Sequence, residues 1–128
     1  MKRTTEIWLG LLGCACAVIG LVHLVFGAPT IIGGGPVNAT IDSELRFYAL
    51  LFIAYGAAFV WCALDVTRRA RLANVLGAVF FAGGAARLIA WAAAGRPNWF
   101  YLVMIGVELL IPLVNYALLR RVQSMMST

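Results

Sequence analysis

Three ionisable side chains, His23, Arg87 and Glu108, interrupt runs of residues that are otherwise apolar. An ionised group at the centre of a bilayer costs about 2.5–3.5 kcal/mol on insertion scales, so such residues face a polar interior or a partner. Arg87 lies seven residues before Ala94, and Glu108 lies eight residues after Phe100. At a rise of 1.5 Å per residue, both are therefore about 10–12 Å below the outer membrane boundary. This equal depth predicts a salt bridge, and the guanidinium fork suits a carboxylate.

Other polar and aromatic residues are expected near this pair. His23 is about 5 Å below the outer end of the first helix, and Arg46 begins the second. Trp91 follows Arg87 by one helical turn, and Tyr101 shares a heptad-spaced face with Glu108. We therefore expect a polar pocket that opens outward. Its predicted ligand or ion-pair cluster is Arg87, Glu108, Arg46, His23, Trp91 and Tyr101.

The Arg87–Glu108 pair has a second interpretation, a buried structural tie that fixes helix register, and the sequence gives both interpretations equal weight. Pro112 lacks the N–H that would bond to the carbonyl of Glu108, which either frees that carbonyl for a ligand or only kinks the helix. His23 is expected to bond to a loop carbonyl rather than to a metal ion, because no second His or acidic residue stands at metal-ligand spacing. No metal site, cofactor or catalytic residue is predicted.

These residues must be positioned by membrane-spanning helices. Of the 128 residues, 63% are hydrophobic and 12% are charged, which excludes a water-soluble fold. A span needs about 20 apolar residues, and the hydropathy pattern predicts four of them. Short connections make neighbouring helices antiparallel, so the chain is predicted to be an all-α, up-down-up-down four-helix bundle in one transmembrane domain, residues 1–128. The predicted spans are residues 7–26, 45–64, 72–94 and 99–119.

Two local features refine this prediction. Asp42 or Ser43 is expected to cap the second helix, and residues 65–71 are expected to form the short inner turn. On the third helix small residues recur every fourth position, a pattern that lets another backbone approach closely. They are Asn74, Ala78, Ala82, Ala86, Ala90 and Ala94. Their partner is either another helix of the bundle or another protein.

The net charge of +5 comes from basic residues that cluster on one side of the spans. The positive-inside rule then places both termini in the cytoplasm, and we expect a multi-pass protein of the bacterial cytoplasmic (inner) membrane. The residues are Lys2, Arg3, Arg68, Arg69, Arg71, Arg120 and Arg121. They favour contact with anionic membrane lipids rather than with nucleic acid.

With these features the chain resembles a small bacterial integral-membrane family catalogued as domain of unknown function 4345. The resemblance rests on residues 37–48, Tyr55-Gly56, residues 83–87, residues 95–97 and Glu108, although Ala90 stands where that family leads us to expect Ser. It implies a four-helix membrane protein with a cluster around Arg46, Arg87 and Glu108. It implies no known reaction.

Two functions fit the sequence. The preferred one is a non-enzymatic membrane protein that acts as an accessory subunit of a larger membrane complex, binds a lipid or quinone-like amphiphile in the outward pocket, or does both. The alternative is a small proton-coupled transporter that uses Glu108. An enzyme is expected least, because no nucleophile with an adjacent base and no phosphate-binding loop is recognisable.

Overall fold

The computed structural model describes residues 2–126, and these form four long helices joined by short connections. The helices are α1 (Lys2–Phe26), α2 (Ala39–Leu64), α3 (Val66–Ala94) and α4 (Trp99–Met126), with one turn of 3₁₀ helix at Ala28–Thr30 after α1. Each is long and apolar enough to cross a membrane. Residues 2–126 contain no strand. The predicted all-α, four-helix membrane fold is confirmed.

The helices extend beyond the predicted apolar spans. Hydropathy identifies the part of a helix that lies in the lipid, and it does not identify the residue at which the helix ends. α2 begins at Ala39, and its N-cap is Asn38, whose Oδ1 accepts a hydrogen bond from Ile41 N at 2.9 Å. The expectation that Asp42 or Ser43 caps α2 was therefore wrong. The expected turn at residues 65–71 is also wrong, because only Asp65 separates α2 from α3 and the following basic residues, which favour helix, continue α3.

We call the end of the bundle with residues 27–38 and 95–98 the loop end, and the end with Asp65 the turn end. α1 packs mainly on α2, and α3 packs mainly on α4, so the bundle consists of two helical hairpins. Glycines allow the close approach within the first hairpin. A Cβ atom on Gly13 would lie 2.5 Å from the carbonyl oxygen of Gly56, and one on Gly20 would lie 2.8 Å from that of Ala49.

The two hairpins are joined by a buried core near the turn end. It contains Leu9, Phe59, Cys62, Val66, Ala70, Ala73, Leu119 and Val122. Beside it, the buried amide of Asn115 links three helices: its Oδ1 accepts from Trp8 Nε1 at 3.2 Å, and its Nδ2 donates to the carbonyl of Ala73 at 2.9 Å. Towards the loop end, a cleft lies between the hairpins instead.

The small-residue stripe of α3 lies on the outside of the bundle. Its five alanines, at positions 78, 82, 86, 90 and 94, are all exposed. α3 instead buries a different set of small residues, Ala70, Ala73, Gly77 and Gly84. The sequence left two possible partners for the stripe. Because these alanines are exposed, their partner is not another helix of the same bundle.

Candidate functional site

Arg87 and Glu108 form the predicted salt bridge between α3 and α4. The Nε atom of Arg87 donates to Oε2 of Glu108 at 2.8 Å. Glu108 is 7% exposed, whereas the Arg87 side chain is 40% exposed. The recorded contact is a single N–H bond rather than the two parallel bonds that a guanidinium fork allows.

The remainder of the Arg87 guanidinium lies over an aromatic ring on α4. Its central carbon is 5.5 Å from the ring centroid of Tyr101, a distance at which the negative face of the ring attracts a cation. Trp91, one turn further along α3, is 41% exposed on the helix surface. Arg87, Glu108 and Tyr101 therefore meet as expected from their spacing.

Glu108 also lines the cleft between the two hairpins. The cleft has a volume of about 310 Å³ and is bordered by residues from α2, α3 and α4. They are Tyr48, Leu51, Phe52, Tyr55, Val79, Phe80, Gly83 and Glu108. Apart from this carboxylate and two tyrosine hydroxyls, the side chains of the wall are apolar. The cleft is thus an aromatic and aliphatic groove with an acidic group in its wall.

The aromatic wall is held in place by the residues behind it. The hydroxyl of Tyr55 donates a hydrogen bond to the carbonyl of Leu76 on α3. The Tyr55 ring also packs edge-on against Phe59 and Phe80, with centroid distances of 5.0 and 5.4 Å. These contacts join α2 to α3 where the cleft meets the buried core. This wall of the cleft is therefore preformed.

Glycine keeps the cleft open beside the carboxylate. A Cβ atom on Gly83 would have Oε2 of Glu108, 4.0 Å away, as its nearest neighbour. A larger side chain at this position would therefore occupy the space next to Glu108 without displacing backbone. The cleft is therefore larger than it would be with any other residue at position 83.

Arg46 and His23 are engaged elsewhere, at the loop end of the first hairpin. Arg46 bonds through Nε to Asp42 Oδ2 at 2.8 Å and through one terminal nitrogen to the carbonyls of Leu24 and Val25 at 2.9 and 3.2 Å. Those carbonyls belong to the last turn of α1, where no further intrahelical donor is available. Arg46 therefore caps α1 from the side of α2.

Asp42 completes this arrangement, because its Oδ1 accepts from the backbone N–H of Ala28 at 2.8 Å. His23 Nδ1 lies 2.6 Å from Thr30 Oγ1, whose hydroxyl donates to the carbonyl of Gly27 at 2.6 Å. His23 was expected to bond to a loop carbonyl, and this was wrong in the kind of group, because its partner in the loop is the hydroxyl of Thr30. The expectation that the six predicted residues line one polar pocket was therefore wrong. Arg46 and His23 lie at the loop end of the first hairpin, whereas Arg87, Glu108 and Tyr101 meet on the second.

Sequence reasoning missed the aromatic side of the site. Tyr48, Phe52 and Tyr55 follow one another at intervals of four and three residues, the repeat of one helix face. That spacing indicates that the three rings share one face of α2. Because the neighbouring residues of the span are also apolar, the spacing does not show whether this face borders a cleft or a packed core. Within residues 2–126, no group of three or more His, Cys, Asp or Glu side chains is arranged to hold a metal ion.

Residues 4–119 match the family described as a domain of unknown function, DUF4345. Neither the curated proteins nor the solved structures include a significant match to the chain. The family description names no reaction, ligand or partner, so any function must be argued from the residues themselves.

Proposed function

We propose that this chain, which belongs to the DUF4345 family, is a non-enzymatic membrane protein that binds a lipid or quinone-like amphiphile in the cleft beside Glu108. The observation that carries the proposal is the cleft itself: an apolar, aromatic groove within the membrane-crossing part of the helices, with one buried carboxylate in its wall. An amphiphile has the matching chemistry, an apolar body and one polar group.

The dimensions of the cleft support this proposal. Small-molecule sites occupy about 300–1,000 Å³ and combine a mainly apolar lining with a few polar groups that fix orientation. The cleft lies at the lower limit of that range, at about 310 Å³. It suits a head group and the adjoining part of a chain, whose remainder would lie along exposed side chains such as Tyr48 and Leu51.

The proposed location is the bacterial inner membrane, with both termini in the cytoplasm. Basic residues at the turn end support this orientation, since cationic segments are retained inside. Arg68, for example, has an 87% exposed side chain, and its nearest acidic partner, Asp65, is 4.0 Å away. The cleft would then open towards the outer half of the membrane.

A matched pair of glycine substitutions tests amphiphile binding. Gly83→Phe fills the cleft beside Glu108, whereas Gly106→Phe adds the same side chain to α4 at a position where a Cβ atom meets nothing within 4 Å. Both proteins are purified at native expression level in mild detergent, and bound small molecules are identified by mass spectrometry. We expect one enriched amphiphile in the wild type and in Gly106→Phe, and its loss from Gly83→Phe. Equal occupancy in both variants would contradict the proposal.

The accessory-subunit role is a second part of the proposal, supported by the alanine stripe that α3 leaves exposed, a surface that suits close approach of another membrane helix. The same purification tests it. A stoichiometric membrane protein should accompany the wild type and be lost when Ala82 and Ala86 are both replaced by Leu. A partner that remains after this change contradicts docking on the stripe.

Transport by a proton-coupled exchange at Glu108 is the alternative function. One observation favours it: a buried carboxylate that lines a cleft and has a single recorded hydrogen bond. The ion pair with Arg87 argues against it, because the cation neutralises the group that would carry the proton. Reconstituted liposomes should therefore show no proton-coupled uptake, and uptake that Glu108→Gln abolishes would establish the alternative.

A further inference from the structure

Resting on the proposed amphiphile site, we infer that the cleft selects a head group with a hydroxyl, as in an alcohol, phenol or quinol, over one that only accepts hydrogen bonds, as in an ether or quinone. The selecting group is the carboxylate of Glu108.

Glu108 offers the cleft a hydrogen-bond acceptor. Its Oε2 atom accepts from Arg87, and Oε1 has no hydrogen-bond partner among the side chains and backbone groups of residues 2–126. A carboxylate that accepts a hydrogen bond from a guanidinium offers further acceptor sites and no donor. A ligand that meets Glu108 in this cleft must therefore supply a donor, because two facing acceptors would both be left unpaired in an apolar site.

The charge of Glu108 is already balanced within the protein. Arg87 already supplies one positive charge to the carboxylate, at 2.8 Å. A cationic head group would add a second positive charge in a low-dielectric wall, whereas a neutral donor leaves the pair balanced. The site therefore suits a neutral O–H group better than an ammonium.

Tyr48 is a second polar group in the wall of the cleft. Tyr48 and Glu108 both line the cleft, and each lies nine residues after the first residue of its helix, about 13 Å along the helix axis. The Tyr55 hydroxyl is engaged by the carbonyl of Leu76, whereas no hydrogen bond of the Tyr48 hydroxyl is found within the described part of the chain. A ligand hydroxyl both donates and accepts, so it can donate to Glu108 and can also accept from a tyrosine hydroxyl of the cleft wall.

Two probes that differ by one methyl group test the selection. Para-nonylphenol donates a hydrogen bond, and its methyl ether, para-nonylanisole, does not. Binding of each is measured by native mass spectrometry of the full chain in lauryldimethylamine oxide, a detergent without hydroxyl groups. Because hydrogen bonds to charged groups are the stronger ones, we expect the wild type to bind the phenol about tenfold more tightly than the ether.

The Glu108→Gln variant should remove this preference. The amide oxygen of the new side chain accepts from Arg87 Nε, which directs its NH₂ group into the cleft and replaces the acceptor with a donor. We expect the phenol-to-ether ratio to fall to about twofold or less. Glu44→Gln, a change at an exposed acidic residue near the start of α2, is the matched control and should keep the wild-type ratio.

The outcomes separate this inference from the proposed function. Equal binding of both probes by the wild type, lost in Gly83→Phe, overturns the hydroxyl selection and leaves the amphiphile site standing. A phenol preference that survives in Glu108→Gln also overturns the selection. Binding of both probes that Gly83→Phe does not weaken overturns the site as well. If Glu108→Gln does not fold, the double variant Arg87→Gln/Glu108→Gln removes both charges, and the same loss of preference is expected.

Discussion

Arg87 and Glu108 differ in how strongly the loss of the partner's charge would destabilise the protein. The Glu108 side chain is 9% exposed, so without Arg87 its charge would be buried and unpaired. The Arg87 side chain is 40% exposed and lies near the Tyr101 ring, so it keeps an aromatic neighbour when the carboxylate is removed. Removing one partner of a buried ion pair is expensive because of the charge that remains.

We therefore expect Arg87→Gln to destabilise the protein by about 3 kcal/mol and Glu108→Gln by about 1 kcal/mol. Thermal unfolding in detergent, followed by circular dichroism, measures the difference. Lys2→Gln is the control, because its contact with Glu6 spans 3.9 Å at the exposed end of α1 and should contribute less than about 0.5 kcal/mol. A larger loss for Glu108→Gln than for Arg87→Gln would contradict the asymmetry.

At this scale the sequence predicted the Arg87–Glu108 contact and not the position of Arg46. Depth arithmetic suffices for two residues on antiparallel helices joined by a short turn, because helix rise fixes their levels. Arg46 instead bonds to Asp42, one turn earlier, and to the last carbonyls of α1. Which carbonyls a side chain reaches depends on the path of residues 27–38, and hydropathy carries no information about it.

At the scale of helices, α1 and α2 approach most closely where two glycines face each other. A Cβ atom on Gly56 would lie 2.5 Å from the carbonyl oxygen of Gly13 and 2.7 Å from the backbone nitrogen of Ala17. These are backbone atoms, which cannot rotate away as the end of a side chain can. The contact therefore requires glycine at both positions, and it sets the spacing of the first hairpin.

Gly56→Ala is accordingly expected to destabilise the fold by about 1–3 kcal/mol, the usual cost of overpacking. Gly106→Ala makes the same chemical change on α4, where the added methyl group meets open space, and should stabilise the helix by about 0.5–1 kcal/mol. Parallel unfolding curves of the two variants give the comparison. A tolerated Gly56→Ala would show that the helices are further apart than described.

The sequence predicted four helices but left open whether the alanine stripe of α3 packs within the bundle, and the structure places those alanines on its outside. Alanine and glycine occur on several sides of α3, so a repeat of four residues can be traced both through Ala78, Ala82 and Ala86 and through the buried Ala73 and Gly77. Spacing identifies a small-residue face only when the other faces are large or polar. Contacts with α4 determine which face of α3 is buried, and those contacts depend on the sequence of α4 as well as that of α3.

For the molecule as a whole, the two hairpins meet in the core near the turn end and leave the cleft towards the loop end. The orientation of this arrangement in the membrane decides which leaflet supplies the ligand. The proposed orientation places both termini in the cytoplasm, because the basic residues lie at their end of the bundle.

Reporter fusions test that orientation. Green fluorescent protein joined to the C-terminus should be fluorescent, whereas alkaline phosphatase at the same position should be inactive. Inserting the phosphatase at Gly35, in the connection between α1 and α2, should reverse the result, since that segment is expected outside. Active phosphatase at the C-terminus would invert the orientation and place the cleft towards the cytoplasmic leaflet.

The most direct test of the central proposal is to identify what occupies the cleft in the membrane. A photoreactive benzoylphenylalanine replaces either Phe52, which lines the cleft, or Phe81, which is exposed on α3 outside the cleft. Both are thirteen residues from the loop-end terminus of their helix, so they sample similar depth. Mass spectrometry should find one enriched amphiphile crosslinked at position 52, displaced by para-nonylphenol, and a mixture of bulk lipids at position 81. The same bulk mixture at both positions would contradict a selective cleft.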